Sequence, residues 1–486
     1  MNIYSSTVDR NKLFGRRKLI APPLAPLTST NVGLILNEVL PLHFKNAAEI
    51  DYLYNFFKGN QPILERKKEV RPEITNIVIE NRALEIVEFK KGYEFSHPVQ
   101  YINAGKDDTA PIEKLNSYAR VDGKEAKDLE LAEWFYISGN AYRFCFHRDM
   151  FTEDEPPYYS AVLDPRNTFV VYSNEAGNPP LFAGVLVEQK DLTTNATTYK
   201  CAVYTKTKRF EWTVKSEQNN DYSKEPATEA PNGLGLIPIV EYVLNENRLG
   251  YVELCYWLFN AINTVGSNRI DSIEQFVQAY LVFLNVDLPD QLDSSGKPII
   301  VDGQHVKVVP KSGDAILVGN QQGNADVKFI YAVLDQEQTQ VTKDDLLRSV
   351  YEICGVPDRQ NRNQGGGDTG QAVVLRNGWG AAEARAMSTE KLFKKAEYEY
   401  LKIVLKICRD TQGVDIEGLA LPDIDVKFTR NRSDGLQTKS QSLKMLLEAG
   451  VNPEDSYITS ELFSDPSAVW ARSEEYQKGV LPATSE

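Results

Sequence analysis

Histidine, cysteine and methionine are scarce: 486 residues hold 4 His, 5 Cys and 4 Met. The histidines (His43, His97, His147, His305) are scattered and make no metal or triad pattern. The cysteines (Cys145, Cys201, Cys255, Cys354, Cys408) are far apart and odd in number, without CxxC or Cys/His spacing. They read as small buried apolar side chains of a reducing compartment. No apolar run of about 18 residues occurs, so no membrane-spanning helix is predicted. The first ten residues have no apolar leader core, and none is expected. Positive charge is in deficit, with 54 Lys plus Arg against 68 Asp plus Glu and a net charge of −14. Such a surface stays soluble and repels nucleic acid overall. A soluble, cytoplasmic, multidomain protein is expected, with about two to four domains for this length.

The chain is organised around the stretch from Asp335 to Asp410. Leu347, Val350, Tyr351 and Cys354 repeat at helical spacing, and Gly355 and Pro357 mark the end of that helix. A polar, glycine-heavy loop from Arg359 to Gly370 follows, and then a long helical pattern from Gln371 to Asp410. Leu392, Phe393, Ala396, Tyr400, Val404 and Ile407 carry its stripe, and Gly378 and Gly380 predict a kink in its early part. Two readings stay open for this stretch alone: an ordinary helical hairpin, or a loop presented into something.

Residues 1–30 read as an extended arm, and two short helices are expected between Asn31 and Lys58. A helix is predicted from Ile74 to Lys91, stopped by Gly92, and another around Leu131, Trp134 and Phe135. Alternating aromatic and β-branched residues then predict an antiparallel sheet through 140–215, followed by an exposed loop over 215–233. This half is α+β. Beyond a strand at Leu236–Tyr242, the pattern from Tyr251 to Val286 predicts one helix of roughly 50 Å. Residues 287–334 hold short strands and turns, a β-rich insert between an entering and a leaving helix. The tail predicts a strand at Ile424–Thr429, a helix at Thr438–Glu448 and another near Ser467–Tyr476.

Catalytic patterns fail one by one. Gly365 and Gly370 have phosphate-loop spacing, but Gln371 and Ala372 stand where Lys and Ser or Thr are needed. Asp368-Thr369-Gly370 occurs once, whereas aspartic-protease chemistry needs two carboxylates sharing a proton. Asp287, Asp290 and Asp293 lack calcium-loop spacing, and Gly-x-Ser-x-Gly is absent. No cofactor, metal or catalytic residue is expected, which favours a structural or assembly role.

Several phrases, in order, carry a resemblance. They are Tyr54 to Leu64, Thr75 to Ala83 leading to Gly92-Tyr93, Leu163 to Tyr172, Ile237 to Tyr242 and Asn247 to Glu253. Ser267-Asn268, Gly355 to Asp358 and Asp425 to Asn431 complete them. Together they resemble the portal proteins of tailed double-stranded DNA bacteriophages, the long-tailed group especially. The resemblance departs at Thr369-Gly370, where relatives often show Ser-Gly, and in the run Gly365-Gly366-Gly367.

The resemblance implies an α+β portal fold. Its parts would be a wing (1–240), stem helix one (241–286), a clip (287–334) and stem helix two (335–357). A tunnel loop (358–370), a kinked long helix with the wing's return strand (371–435) and a crown (436–486) would follow. It implies a homo-oligomeric ring of twelve at a capsid vertex of the virion, assembled in the host cytoplasm. Double-stranded DNA would pass through without being read. Terminase, head–tail connector or adaptor proteins, and major capsid and scaffold proteins would be the partners, with no membrane. The tunnel loop would present Arg359, Arg362, Gln364, Gly365, Gly366, Gly367, Asp368 and Thr369 to DNA. For the two arginines, weak phosphate contact and plain solvated charge remain equally open. Asp344, Asp345 and Glu352 would form an acidic wall along which DNA slides, since the helix 335–357 carries five acids against two bases. Two other classes stay open: a metal-dependent hydrolase or nuclease using Asp287, Asp290 and Asp293, and a monomeric scaffold.

Overall fold

The structure is a computed structural model. It describes residues 15–69, 72–104, 110–190, 195–215, 220–277, 280–284, 288–308, 326–330, 336–358, 378–414, 418–430 and 436–460, with a few single positions beside them. The chain divides into two compact units. Met1–Gln61, Asn81–Phe259 and Arg348–Glu486 form the larger; Pro62–Glu80 and Asn260–Leu347 form the smaller. The fold is a mixture of helix and sheet, as expected.

In chain order the strands are β1 (Leu19–Ala21), β2 (Gln100–Asn103), β3 (Asn140–His147), β4 (Tyr158–Leu163), β5 (Thr168–Ser173), β6 (Pro180–Lys190), β7 (Thr197–Tyr204) and β8 (Lys208–Val214). Then come β9 (Ala227–Pro231), β10 (Ile239–Val243), β11 (Tyr280–Leu284), β12 (Ile300–Val301), β13 (Gln304–His305), β14 (Asp326–Ile330) and β15 (Ile424–Lys427). In the larger unit, β1-β5-β6-β7-β8-β9 make a six-stranded sheet, β10-β3-β4 a three-stranded one, and β15 pairs with β2. The meander expected over 140–215 is thus antiparallel, but it is shared between two sheets. The extended arm docks as β1, parallel to β5. The stretch expected as a loop over 215–233 contributes β9 to the sheet edge.

Helix Ser29–Phe57 covers one face of the large sheet. Val32, Ile35, Leu36, Val39 and Leu40 recur at the three-and-four spacing of one face and pack on Phe169, Phe182, Phe210 and Trp212. Two short helices were the expectation here; the helix is continuous. Pro41 lies inside it but faces solvent, so burial on either side outweighs the one hydrogen bond proline removes. The opposite face of the large sheet packs on the small one through Tyr142, Val170, Ala183, Ile237 and Ile239.

The smaller unit holds an extended segment laid along a helix. Helix Tyr256–Val277 presents Asn263, Ser267 and Asp271 at four-residue intervals. The Asn76 amide donates to Asp271 Oδ1 (2.7 Å), the Val78 amide to Ser267 Oγ (3.0 Å) and the Glu80 amide to Asn263 Oδ1 (3.0 Å). Two residues of extended chain advance about 6.6 Å and four residues of helix about 6 Å, so the periods match and alternate amides find a side chain. Arg66 and Lys68 also meet Asp271, at 2.8 and 3.0 Å. The helix expected from Ile74 therefore starts only at Arg82.

The single helix expected over Tyr251 to Val286 is also corrected. It is broken at Cys255 into Tyr251–Leu254 and Tyr256–Val277, and Tyr280–Leu284 is β11, paired antiparallel with β14. An apolar run rich in aromatic and branched residues suits either element, and pairing with a distant strand decides it. Within residues 288–308, β12 and β13 pair antiparallel as a short hairpin. Residues 309–325 of the insert lie outside the described residues.

Candidate functional site: the residues that flank 359–377

Both ends of the segment 359–377 are described, and they meet. Helix Gln336–Cys354 stops where Gly355 takes left-handed backbone (φ +61°), with the Val356 amide returning to the Tyr351 carbonyl at 2.8 Å. Glycine is the residue that adopts this conformation without penalty. Val356 and Pro357 are buried. On the far side, Gly378 is also left-handed (φ +83°) and begins helix Trp379–Asp410; a Cβ there would lie 3.8 Å from the Pro357 Cα. Arg385, in the second turn of that helix, donates through Nη2 to the Glu352 carbonyl at 3.3 Å. This places a cation on the negative end of the preceding helix.

The long helix is anchored along its length by three glutamates seven residues apart, a spacing that keeps one face. Glu383 accepts from the Tyr93 hydroxyl (2.7 Å) and from Arg430 (2.8 Å), while Trp379 packs on Phe89 and Tyr93. Glu390 takes the other arm of Arg430 and pairs with Lys394 at 3.1 Å. Glu397 is wholly buried. It accepts from Tyr101 (2.6 Å) and Tyr242 (2.7 Å) and faces Lys124 (3.0 Å) and Arg143 (3.4 Å). Asp128 completes the cluster, pairing with both Lys124 and Arg143. Burial alone would raise the Glu397 pKa, but Lys124, Arg143 and the two hydroxyls outweigh it and bring it to about 2. Burial keeps Tyr101 and Tyr242 protonated, so both donate.

This network was not foreseen from sequence. Its signal is present in the acids at 383, 390 and 397, which fall on the apolar stripe that also carries Ala386, Phe393 and Tyr400.

Of the residues expected in the loop, Arg359, Arg362, Gln364, Gly365, Gly366, Gly367, Asp368 and Thr369 lie outside the described residues. Gly378 caps the long helix and Gly380 falls in its first turn; the stretch 371–377, where the pattern begins, is likewise outside them. Asp344 is half-buried and accepts from Gln340 (2.7 Å), whereas Asp345 and Glu352 are exposed. Asp290 is engaged by His305 (2.7 Å) and Lys307 (3.0 Å), and Asp293 accepts the Ser295 and Lys297 amides. Asp287 lies outside the described residues. Among those described, no three His, Cys, Asp or Glu side chains gather to hold a metal.

Comparison with known proteins adds the decisive observation. A family model described as phage portal protein, SPP1 Gp6-like, matches residues 37–478. The chain belongs to the phage portal protein family. This portal-family chain is 23% identical over 337 residues to the portal protein of Bacillus phage SPP1, a match covering 67% of this chain and 63% of that relative. The matched part thus spans under two thirds of the relative's own length. Solved structures similar to it include the neck of a native GTA particle computed with C12 symmetry and the virion of a native gene transfer agent particle. Each has a TM-score of 0.43 and 11% identity, covering 78% of this chain and 89% of the other. Among the described residues, no helix of the portal-family chain is long and apolar enough to cross a membrane.

Proposed function

We propose that the chain is the subunit of a homo-oligomeric ring of twelve, set at a capsid vertex of the virion, through which double-stranded DNA is packaged and later ejected. The observation that carries this reading is the family match over residues 37–478. The role is structural, with no catalytic residue, metal or cofactor of its own. Residues 1–240 and 371–435 form the wing, 287–334 the clip that docks terminase and later connector proteins, and 436–486 the crown. The stem helices are Tyr256–Val277 and Gln336–Cys354. Capsid and scaffold proteins surround the ring, and assembly takes place in the host cytoplasm.

The loop base gives this reading its mechanism. A loop that touches moving DNA needs a free tip and a fixed root. Gly355 and Gly378 bring the root together, and Glu383, Glu390 and Glu397 fix the helix behind it. Arg359 and Arg362, in the segment between the two roots, would meet phosphates without reading sequence. Asp344, Asp345 and Glu352, repeated around a ring, would repel the polymer and let it slide. The test is negative-stain microscopy of the purified chain across a range of salt concentrations. Rings with a central hole support the reading, and isolated monomers at every salt, with scaffold protein added, oppose it.

A further inference from the structure

Cys255 and Cys354 stand 99 residues apart in sequence, yet their sulfurs touch at 3.4 Å in the interior of the larger unit. Each sits where a helix ends. Cys255 is the break between Tyr251–Leu254 and Tyr256–Val277, and Cys354 is the last residue of its helix, just before left-handed Gly355. Neither is locked inside a continuous helix on both sides, and the sulfurs have to close from 3.4 Å to the disulfide length of about 2.05 Å. Both are completely buried and both are free thiols.

We propose that Cys255 and Cys354 are a latent disulfide site that closes when the folded chain meets a peroxide-class oxidant. The thiolate of Cys354 attacks hydrogen peroxide, the O–O bond breaks, and a sulfenic acid forms as one oxygen leaves as water. The Cys255 sulfur then displaces the second oxygen, also as water, and the S–S bond forms. The two sulfurs lose two electrons together, the peroxide gains both, and the two thiol protons end in the water.

The state of the Cys354 thiol sets the rate. The Cys354 thiol is held well above its ordinary pKa, first by its contact with Cys255 and then by burial, while Lys90 and Arg385 act in the opposite sense. Closure is therefore slow, and it favours a small neutral oxidant over a bulky disulfide. The bond would close a covalent loop containing all of 260–347, which is most of the smaller unit. Under the portal reading, the chain would assemble reduced and lock after the particle leaves the cell. The chemical claim itself concerns the isolated chain and does not depend on that reading.

The experiment treats the purified full-length chain with dilute hydrogen peroxide, then unfolds it, alkylates it and maps its peptides. The expected result is a fall from five alkylated cysteines to three, with one linked peptide joining Cys255 to Cys354. Thermal unfolding should shift upward, and Cys255→Ala and Cys354→Ala should abolish both effects. Five free thiols after treatment, oxidation of Cys354 beyond the sulfenic stage without a link, or links only between chains would each overturn the proposal. Should either variant fail to fold, the wild-type peptide map alone decides. Ring formation is scored in both redox states, so loss of the portal reading is seen separately from loss of the disulfide.

Discussion

The hydroxyl of Tyr242 donates to the carboxylate of Glu397 at 2.7 Å, in a part of the larger unit from which water is excluded. Tyr242 comes from β10 of the small sheet and Glu397 from the long helix Trp379–Asp410, so this bond joins the sheet to the helix that follows 359–377. The same carboxylate also faces Lys124 and Arg143. Replacing it by alanine leaves two buried cations short of a partner. Glu397→Ala is expected to cost about 3–5 kcal/mol of unfolding free energy, and Tyr242→Phe about 1.5–3 kcal/mol. Urea denaturation of both variants checks this, and a loss for Glu397→Ala no larger than for Tyr242→Phe would contradict it.

Acid should weaken the larger unit in two stages. His43, wholly buried against Phe169, has its pKa lowered by burial to about 4, against about 6.5 in an unfolded chain. Unfolding then takes up a proton, so this contribution is complete above the unfolded value and is lost as pH falls through that interval. Glu397, at about 2 against about 4.3 unfolded, contributes fully above the unfolded value and is lost as pH falls further. Denaturation midpoints followed downward in pH should show both declines. Glu397→Gln should remove the lower one and leave the upper; loss of both, or of neither, would contradict the assignment.

The ladder in the smaller unit makes a separate prediction. Asp271→Ala removes the acceptor of the Asn76 amide and the partner of Arg66 and Lys68. The segment 74–80 should peel from its helix, and hydrogen exchange at Asn76 should quicken by roughly tenfold or more for a local loss of about 1.4 kcal/mol. Unchanged exchange would mean that Ser267 and Asn263 hold the segment without it.

Much of this was legible in sequence where the pattern is local. Gly355 and Pro357 announce a helix end because their backbone restrictions are intrinsic, and the β3 to β8 strands alternate strongly enough to be read singly. What was missed depends on distant partners. The segment 74–80 has helical spacing, but its amides are satisfied by side chains nearly two hundred residues away. Tyr280–Leu284 becomes a strand only because Asp326–Ile330 pairs with it. The two short helices expected between Asn31 and Lys58 are one, because burial on both sides of Pro41 holds the helix through it. Glu383, Glu390 and Glu397 carry no local mark of burial, because their partners Arg430, Lys124 and Arg143 come from distant parts of the chain.

The proposed portal role predicts a functional result. If the chain forms a portal ring, replacing Gly365, Gly366 and Gly367 by alanine should leave ring assembly intact, since none is among the flanking residues Gly355 to Pro357 and Gly378, and lower the DNA packaged per capsid. Quantifying DNA in purified particles checks this. Unchanged packaging would remove a moving-loop role for the segment.

The most direct measurement is the mass of the purified chain in solution, by native mass spectrometry or mass photometry. A species at twelve times the 54.8 kDa of one chain, present with or without added scaffold protein, is the result expected of a portal ring. A single species at the mass of one chain, unchanged by salt, protein concentration or scaffold, would contradict it.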